Sequence, residues 1–317
     1  MRLNKILSIF LLAMLVFSCN KDDDAGVEII PPRDRGEQAI EDDQALIAYL
    51  STHFYNYEEF ASPAEDFDYL VRFDTIAGDN SDKTPIIDSE DLITKTVNYE
   101  GVDQQLYVLK VSEGDGPSPK YTDSVFVGYE GVTLKDVTFD SNTQTPIWFN
   151  LSGYQAYNQN GTVGLTGTVI KGFSEGLEEF NAGTGFEVLP DNTIKWNNDF
   201  GVGAIFMPSG LGYFSATRTN IPAYSPIIFS VSLYRVNEAD HDRDGIPSYL
   251  EDINGDGDVF DDDTDGDGLS NHSDSDDDGD GTLTRDEIEI NADGTINFID
   301  SNSDGIPDYL DPDVFKG

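Results

Sequence analysis

The segment KGFSEGLEEFNAG, residues 171–183, decides the fold of this 317-residue chain. Phe173, Leu177 and Phe180 recur along it at the spacing of one helix face. Gly183 then closes the pattern, and glycine is a residue at which helices commonly end. The segment therefore predicts a short helix, and the runs on either side of it have a different periodicity.

Four runs rich in β-branched and aromatic residues surround this helix. They are QLYVLKV at 105–111, DSVFVGYEGVTL at 123–134, TPIWFNL at 145–151 and SPIIFSVSLYRV at 225–236. Glycine and asparagine turns separate them, which is typical of an antiparallel sheet. A sheet with one embedded helix predicts an α+β fold. Ahead of it, DDQALIAYLSTHF at 42–54 predicts a short amphipathic helix that opens on acidic capping residues.

Five ordered blocks of this region resemble the FKBP family of peptidyl-prolyl cis-trans isomerases. The blocks are YEG from Tyr129, FDSN from Phe139, TVIKGFSEGLEEFNAG from Thr168, MPSGLGY from Met207 and NIPAYSPIIFSVSL from Asn220. The resemblance implies an FKBP-like curved antiparallel sheet wrapping a short helix. It also implies a prolyl isomerase that needs no catalytic cofactor and acts on proline-containing segments of exported or surface proteins.

The resemblance places the substrate pocket on nine residues. They are Tyr129, Phe139, Asp140, Val169, Ile170, Phe173, Tyr213, Ile221 and Phe229. Phe173 would form the floor, where many members have Trp. Ile170 would offer its backbone N–H and Tyr213 its hydroxyl to substrate carbonyls, with Asp140 beside the twisting amide. Taken singly, Tyr129, Phe139, Val169 and Phe229 are each more typical of a sheet core than of a catalytic site, whereas a buried Asp140 is costly unless it is paired.

This chemistry requires no nucleophile. Amide resonance gives rotation about a peptide bond a barrier of about 18–20 kcal/mol. An apolar pocket can bind the twisted amide better than the planar one, because the twisted form has lost resonance and charge separation. The three histidines and one cysteine of the chain offer no convincing catalytic triad.

Three departures from the family pattern keep a second function open. Phe173 stands in place of the floor Trp, the stretch between Gly183 and Met207 is longer than one strand, and the loop at 214–220 is short. The alternative is a non-catalytic module that binds prolyl peptides or acts as a surface scaffold on a calcium-stiffened spacer.

Acidic residues dominate the end of the chain. The formal net charge is -43, and residues 240–317 hold 26 Asp and Glu against 3 Lys and Arg. This asymmetry predicts a separate module. It also argues against nucleic acid as a partner, since phosphates require basic side chains.

The acidic module repeats units of the type Asp-x-Asp-x-Asp-Gly. Units with three spaced carboxylates are Asp240, Asp242 and Asp244, then Asp263, Asp265 and Asp267, and shorter units start at Asn254 and Asn302. DDDGDGTLTRDE at 276–287 fits a complete twelve-residue EF-hand loop. Its expected ligands are Asp276, Asp278, Asp280, the Thr282 carbonyl, Thr284 and Glu287, with Gly281 at the turn.

These units predict structural calcium, because Ca²⁺ takes six to eight oxygen ligands and Mg²⁺ rarely uses all-protein cages. No good helix precedes the EF-hand-like loop, so the segment resembles thrombospondin type 3 repeats, which wind a chain with little core around stacked calcium ions. The other interpretation is a disordered acidic tail.

The N-terminus has the three parts of a secretory signal. Arg2 and Lys5 precede an apolar run at 6–17, which is too short to span a bilayer, and Ser18 and Cys19 follow. The string LVFSC resembles the lipobox of bacterial lipoproteins, which implies acylation of Cys19 and a place in the cell envelope, at the outer membrane. A plain signal peptide with an incidental cysteine is the alternative.

Composition, the strand pattern and the two resemblances together divide the chain into five expected parts. They are a lipoprotein signal peptide at 1–19, a flexible tether at 20–40, an N-terminal extension with a short helix at 41–104, an FKBP-type domain at 105–237 and acidic calcium-binding repeats at 238–317. The acidic run after Cys19 resembles a surface-export signal and is equally the start of a solvated linker. The periplasmic face and the cell surface both stay open.

Replacing Cys19 tests the lipid anchor. We expect Cys19→Ser to release a soluble or unprocessed protein from the membrane fraction, because the acyl chains have lost their attachment site. Fractionation after labelling with a radioactive fatty acid measures this. Membrane association together with retained label in the variant would place the anchor elsewhere.

Overall fold

The computed structural model describes residues 31–315, so the expected signal segment and Cys19 lie outside the described residues. One compact unit begins at Arg33 and continues through the rest of the described chain. In residues 31–315, no helix combines the length and the apolar character that crossing a membrane requires.

The described residues contain helices α1 (Arg35–Thr52), α2 (Tyr57–Ala61) and α3 (Lys171–Leu177). The first strands are β1 (His53–Tyr55), β2 (Phe73–Thr75), β3 (Leu92–Tyr99), β4 (Val102–Ser112), β5 (Ser124–Thr133), β6 (Thr138–Ser141), β7 (Ile147–Asn150), β8 (Tyr154–Tyr157) and β9 (Val163–Thr166). The others are β10 (Phe186–Val188), β11 (Ile194–Trp196), β12 (Gly201–Met207), β13 (Ile227–Asn237), β14 (Ile288–Ile290) and β15 (Ile296–Phe298). Short 3-10 turns lie at Gly78–Asn80, Ile86–Asp88, Ser209–Leu211, Ser248–Leu250, Asn271–Ser273, Thr284–Asp286 and Asp308–Leu310.

The main sheet is antiparallel and has the order β3-β4-β12-β13-β5-β6, with β7 also pairing with β5. The four runs predicted as strands are β4, β5, β7 and β13. In the register of the centre, Ile205 of β12 lies opposite Phe229 of β13 and opposite Val108 of β4. The α+β arrangement expected from the sequence, an antiparallel sheet with one embedded helix, is therefore present.

Both faces of this sheet are buried. One face packs against α3, with Phe173 and Leu177 in its apolar cluster. The other face packs against α1, with Leu46 and Leu50 in a second cluster. Side chains that alternate along β12 and β13 supply both clusters, as a strand requires when each of its faces is covered. The N-terminal extension is thus a layer of the fold and completes the second core.

Helix α1 is longer than the sequence predicted. It begins at Arg35 rather than near Asp42, because the side chain of Asp34 accepts from Glu37 N and caps the first turn. The segment expected to be flexible tether up to residue 40 therefore ends in helix. Asp42 is buried within α1 and accepts from Ser209 N at 2.8 Å and Ser209 Oγ at 2.6 Å.

Helix α3 is shorter than the sequence predicted, ending at Leu177. The chain then tightens into turns, because Asn181 N donates to Glu113 O and Ala182 N donates to Pro117 O instead of continuing the helix. Phe180 still points inward and is fully buried, which is why the helical spacing extends to it. The long stretch before Met207 is explained by the extra hairpin β10-β11.

The acidic segment after β13 has little regular structure: 3-10 turns and the hairpin β14-β15. Its main apolar cluster contains only three buried residues, Ile246, Ile288 and Tyr309. It is also bound to the sheet domain, because Tyr121 Oη donates to Asp252 Oδ2 at 2.7 Å. A fold with so small a core depends on other interactions for its stability.

Replacing Asp42 tests the attachment of α1. Asp42→Ala would leave the Ser209 N–H and hydroxyl and the Gln38 amide without their buried acceptor. We expect a loss of about 3 kcal/mol in the free energy of unfolding, measured by chemical denaturation. Glu41→Ala on the exposed side of the same helix is the control, with an expected change within about 0.5 kcal/mol. Equal effects of the two substitutions would contradict this role.

Candidate active site

Five aromatic side chains meet on the sheet face that α3 covers. They are Tyr129, Phe139, Phe149, Phe173 and Phe229, and we call them the aromatic cradle. The ring centroids of Phe173 and Phe229 lie 5.0 Å apart with their planes at 65°. Those of Phe139 and Phe229 lie 5.4 Å apart at 87°. These are the edge-to-face arrangements that aromatic rings prefer, so the rings hold one another in place.

Sheet pairing sets the positions of the cradle rings. Phe229 on β13 is paired with Gly131 on β5, two residues beyond Tyr129. A Cβ atom at Gly131 would lie 2.5 Å from the Phe139 ring and 3.0 Å from the Phe229 ring. The glycine of the YEG block is therefore required for Phe139 to reach across β5 and contact Phe229.

A polar group lies at one edge of the cradle. Tyr129 Oη donates to Asp140 Oδ2 at 2.8 Å, and Ser141 N donates to Asp140 Oδ1 at 2.9 Å. Asn142 Nδ2 donates to Tyr129 Oη at 3.4 Å. Burial raises the pKa of Tyr129, so its hydroxyl remains a proton donor. Asp140 itself is exposed, and these two donors fix its carboxylate at the mouth of the site.

The rim of the cradle carries two hydrogen-bond donors with no protein acceptor. Ile170 caps the N-terminus of α3, and its N–H makes no hydrogen bond to any residue in 31–315. Tyr213 packs against the same apolar cluster, and its hydroxyl also has no partner in the described chain. Burial raises the pKa of Tyr213, although the Arg218 guanidinium 5.2 Å from its ring centre opposes the shift. Both groups are available to a bound carbonyl oxygen.

The structure brings together the nine residues expected from the sequence: eight belong to or pack against one apolar cluster, and Asp140 is joined to it through its hydrogen bond from Tyr129. Phe149 was missed, although its ring centroid lies 5.2 Å from that of Phe173. Strand alternation in IWFN indicated that one of Trp148 and Phe149 faces inward. It did not show which of the two does. The structure leaves Trp148 47% exposed.

The acidic segment brings together most of its predicted ligands. One carboxylate oxygen from each of Asp263, Asp265 and Asp267 lies within 4.8 Å of the others, and the same holds for Asp276, Asp278 and Asp280. Burial, and then repulsion from its two neighbours, raises the pKa of Asp278 to about 6. Thr282 and Glu287 of the same loop are buried. Thr284 is buried as well, and its hydroxyl accepts from Asp277 N.

A third group differs from the prediction. It contains Asp242, Asp244, Glu251 and Asp277, whereas Asp240 accepts from Arg243 N outside it. Burial and repulsion between the carboxylates raise the pKa of Glu251 to about 12 and that of Asp277 to about 10. Glu251 and Asp277 were not expected from the sequence, because the repeat pattern relates carboxylates only within each Asp-x-Asp-x-Asp unit.

The structure also shifts the start of two units. Asp252 accepts from Gly255 N and Gly257 N, in the way that Asp263 accepts from Gly266 N and Gly268 N. Asp300 accepts from Ser303 N and Gly305 N. The units expected from Asn254 and Asn302 therefore begin two residues earlier, each at an aspartate. The sequence could have indicated these starts, because an aspartate lies two residues before each Asn.

Comparison with known proteins gives two family matches. Residues 116–234 match the family of FKBP-type peptidyl-prolyl cis-trans isomerases, and residues 241–299 match a family described as BamM C-terminal. No curated protein sequence matches the chain.

Similar solved structures have low identity. FkpA from Escherichia coli is 21% identical over 63% of this chain and 62% of its own, with a TM-score of 0.35. The chain thus spans about three fifths of that protein. A peptidyl-prolyl cis-trans isomerase from Pseudomonas syringae is 20% identical over 48% of this chain and 84% of its own, with a TM-score of 0.32. The N-terminal domain of FKBP42 from Arabidopsis thaliana is 16% identical over 49% of this chain and 98% of its own, also at 0.32.

The family match includes β5, continues to residue 234 within β13, and contains every residue of the aromatic cradle and its rim. The glycine that admits Phe139 and the helix that carries Phe173 both lie within it. Residues 116–234 of this chain are an FKBP-type peptidyl-prolyl cis-trans isomerase domain.

Proposed function

We propose that this domain catalyses cis-trans isomerisation of X-Pro bonds in exported or surface proteins. The main support is that the aromatic cradle lies beside two hydrogen-bond donors with no acceptor in the described residues, Ile170 N–H and Tyr213 O–H. Unassisted X-Pro isomerisation takes tens to hundreds of seconds, which is slow enough to limit folding. A site that accelerates this step needs shape and polarity, and no redox or metal group.

The proposed chemistry is preferential binding of the twisted amide. A proline ring would occupy the apolar cradle above Phe173, where water is excluded. The planar amide, whose resonance separates charge, loses favourable hydration when it leaves bulk water for this surface, whereas the twisted amide has less charge separation to desolvate. The site therefore stabilises the twisted form relative to the planar one, which lowers the barrier.

The polar groups would orient the peptide. Ile170 N–H and Tyr213 O–H would donate to substrate carbonyl oxygens on either side of the proline and hold the flanking chain while the bond rotates. Asp140 lies at the mouth, held by Tyr129 Oη and Ser141 N. Its fixed negative charge would interact with the rotating amide without transferring a proton.

An isomerisation assay with a proline test peptide measures the proposed activity. We expect Phe139→Ala to lower kcat/KM about tenfold or more, because one wall of the cradle is lost. Tyr213→Phe, which removes a single hydrogen bond, should lower it by about two- to tenfold. Phe186→Ala, which truncates an exposed ring on the hairpin β10-β11, is the matched control and should leave the rate unchanged.

Peptide binding separates catalysis from recognition. If the wild-type protein binds the proline peptide but does not accelerate its isomerisation, the domain is a binding module. Unchanged rates in Phe139→Ala and Tyr213→Phe, with both variants folded by circular dichroism, would place turnover outside this cleft.

We further propose that the protein is tethered through acylated Cys19 to the outer membrane, and that its acidic segment binds structural calcium. The support for calcium is chemical: the clusters are built from oxygen ligands, and residues 240–315 have little apolar core. A thrombospondin type 3-like winding around ions would then replace the missing core. Each Ca²⁺ would neutralise two charges and fix several carboxylates, so binding and folding become one event.

Chelation tests the calcium proposal. We expect limited proteolysis in chelator to cut the chain after Val236, because unneutralised Asp side chains repel one another. A fragment ending near residue 237 should survive, since the sheet domain has two cores of its own. Millimolar calcium should protect the acidic segment. Identical cleavage in both conditions would mean that calcium does not order this region.

A further inference from the structure

The buried carboxylate group joins two loops that are distant in sequence. Asp242, Asp244 and Glu251 belong to one loop at 240–251, whereas Asp277 belongs to the EF-hand-like loop at 276–287. One oxygen of each side chain lies within 4.8 Å of the oxygens of the other three. The four side chains therefore point at a common space between the loops.

These carboxylates have no protein partner that balances them. Glu251 is fully buried and Asp277 is 2% exposed, and both oxygens of each lack a hydrogen-bond donor. Asp242 Oδ2 and Asp244 Oδ2 are buried without a donor as well. Within residues 31–315, no basic side chain forms an ion pair with any of the four. Buried charge without compensation is costly, so the group fits a bound cation.

The donor set indicates the class of cation. Six buried oxygens without donors come from these four side chains, and Ca²⁺ takes six to eight oxygen ligands. Glu251 lies twelfth in its loop when Asp240 is first, the position at which an EF-hand loop places its bidentate glutamate. No sulfur or imidazole lies in the group, so a hard divalent ion is favoured over zinc.

Asp277 does not take part in the cluster of its own loop. Asp276, Asp278 and Asp280 are the alternating members of that cluster, and Asp277 lies between the first two. Its backbone N–H donates to Thr284 Oγ1 at 3.2 Å, which ties it to its own loop. Its side chain joins the other loop, so Asp277 connects two sites that a repeat pattern treats as separate.

We infer that Asp277 is the bridging ligand of a calcium ion whose other ligands are Asp242, Asp244 and Glu251. The inference rests on the proposed calcium binding of the acidic segment. The ion ties the loop at 276–287 to the loop at 240–251 and acts as a cross-link between them. The acidic segment is then a closed structure and not a row of independent units.

The surroundings explain why this one ion matters. Ile246, Ile288 and Tyr309 form the apolar cluster of the segment, and each comes from or follows a different loop. The loop at 240–251 is also fixed to the sheet domain, where Asn150 Nδ2 lies 2.7 Å from His241 Nε2. Loss of the bridge would remove the cross-link between the loop at 276–287 and a loop that is held to the sheet domain.

Calcium counting tests the bridge. The full chain, purified in mild detergent, is compared with Asp277→Asn and with Glu289→Gln, which removes one exposed charge on β14. Equilibrium dialysis against calcium is expected to give one bound ion fewer per chain for Asp277→Asn. Glu289→Gln should bind the same number as the wild type.

The dependence of the effect on calcium is the sharper measurement. In calcium, Asp277→Asn should lower the melting temperature of the segment and expose the loops after 276 to protease, because a ligand is lost. In chelator, where the segment of the wild type is also expected to be open to protease, the same substitution should not change its cleavage. Adding Glu251→Gln should have little further effect in calcium, since both residues serve one ion.

The outcomes separate the two proposals. If the wild type binds no calcium, the calcium proposal for the whole segment fails. If the wild type binds calcium but Asp277→Asn keeps both its ion count and its calcium-dependent melting shift, the segment binds calcium without this bridge. Destabilisation by Asp277→Asn to the same extent in calcium and in chelator would make Asp277 a structural residue with no ion, and would overturn the inference.

Discussion

Burial of both faces of β12 and β13 is the constraint on which the rest of the structure depends. A strand covered on one side by α3 and on the other by α1 has no solvated face, so every residue of β12, and every residue of β13 up to Tyr234, is buried. Gly203 shows how tight this is, because a Cβ there would lie 1.9 Å from Leu109 O. The aromatic cradle is one end of the core on the α3 side. Its geometry follows from the same pairing that builds the sheet.

The cradle differs from an ordinary core because some of its side chains are only partly buried. Phe173 and Phe229 are buried, but Phe139 and Tyr213 are only partly covered, and Asp140 is exposed. An apolar surface is thus left open beside fixed polar groups. This arrangement suits a ligand that is apolar at its centre and polar at its flanks, which describes a proline within a peptide. Catalysis by such a surface depends on the exclusion of water as much as on the hydrogen bonds that it donates.

The acidic segment, unlike the sheet domain, has no large apolar core within residues 240–315. One of its carboxylate groups is largely buried from water, the cluster at 263–267 is exposed, and its apolar cluster is small. In the calcium binding that we propose, attraction to cations replaces hydrophobic burial as the source of order. Tyr121 and Tyr157 of the sheet domain donate to Asp252 and Asp267, so the ordered segment is attached along the hairpin β8-β9 side of the isomerase domain. The two modules share side-chain contacts although their stabilising forces differ.

The sequence by itself determined the α+β fold and the strands β4, β5, β7 and β13, and eight of the nine residues that it predicted for the pocket belong to or pack against one apolar cluster. It could do so because alternation and ordered motif blocks are local signals, although alternation shows which residues share a strand face and not which face is buried. Only the tertiary structure decided that Phe149 and not Trp148 completes the cradle, that α3 stops at Leu177, and that α1 forms a second core. It alone placed Glu251 and Asp277 in one buried group. These depend on contacts between segments far apart in the chain, and no local periodicity encodes which distant carboxylates a folded chain will bring together.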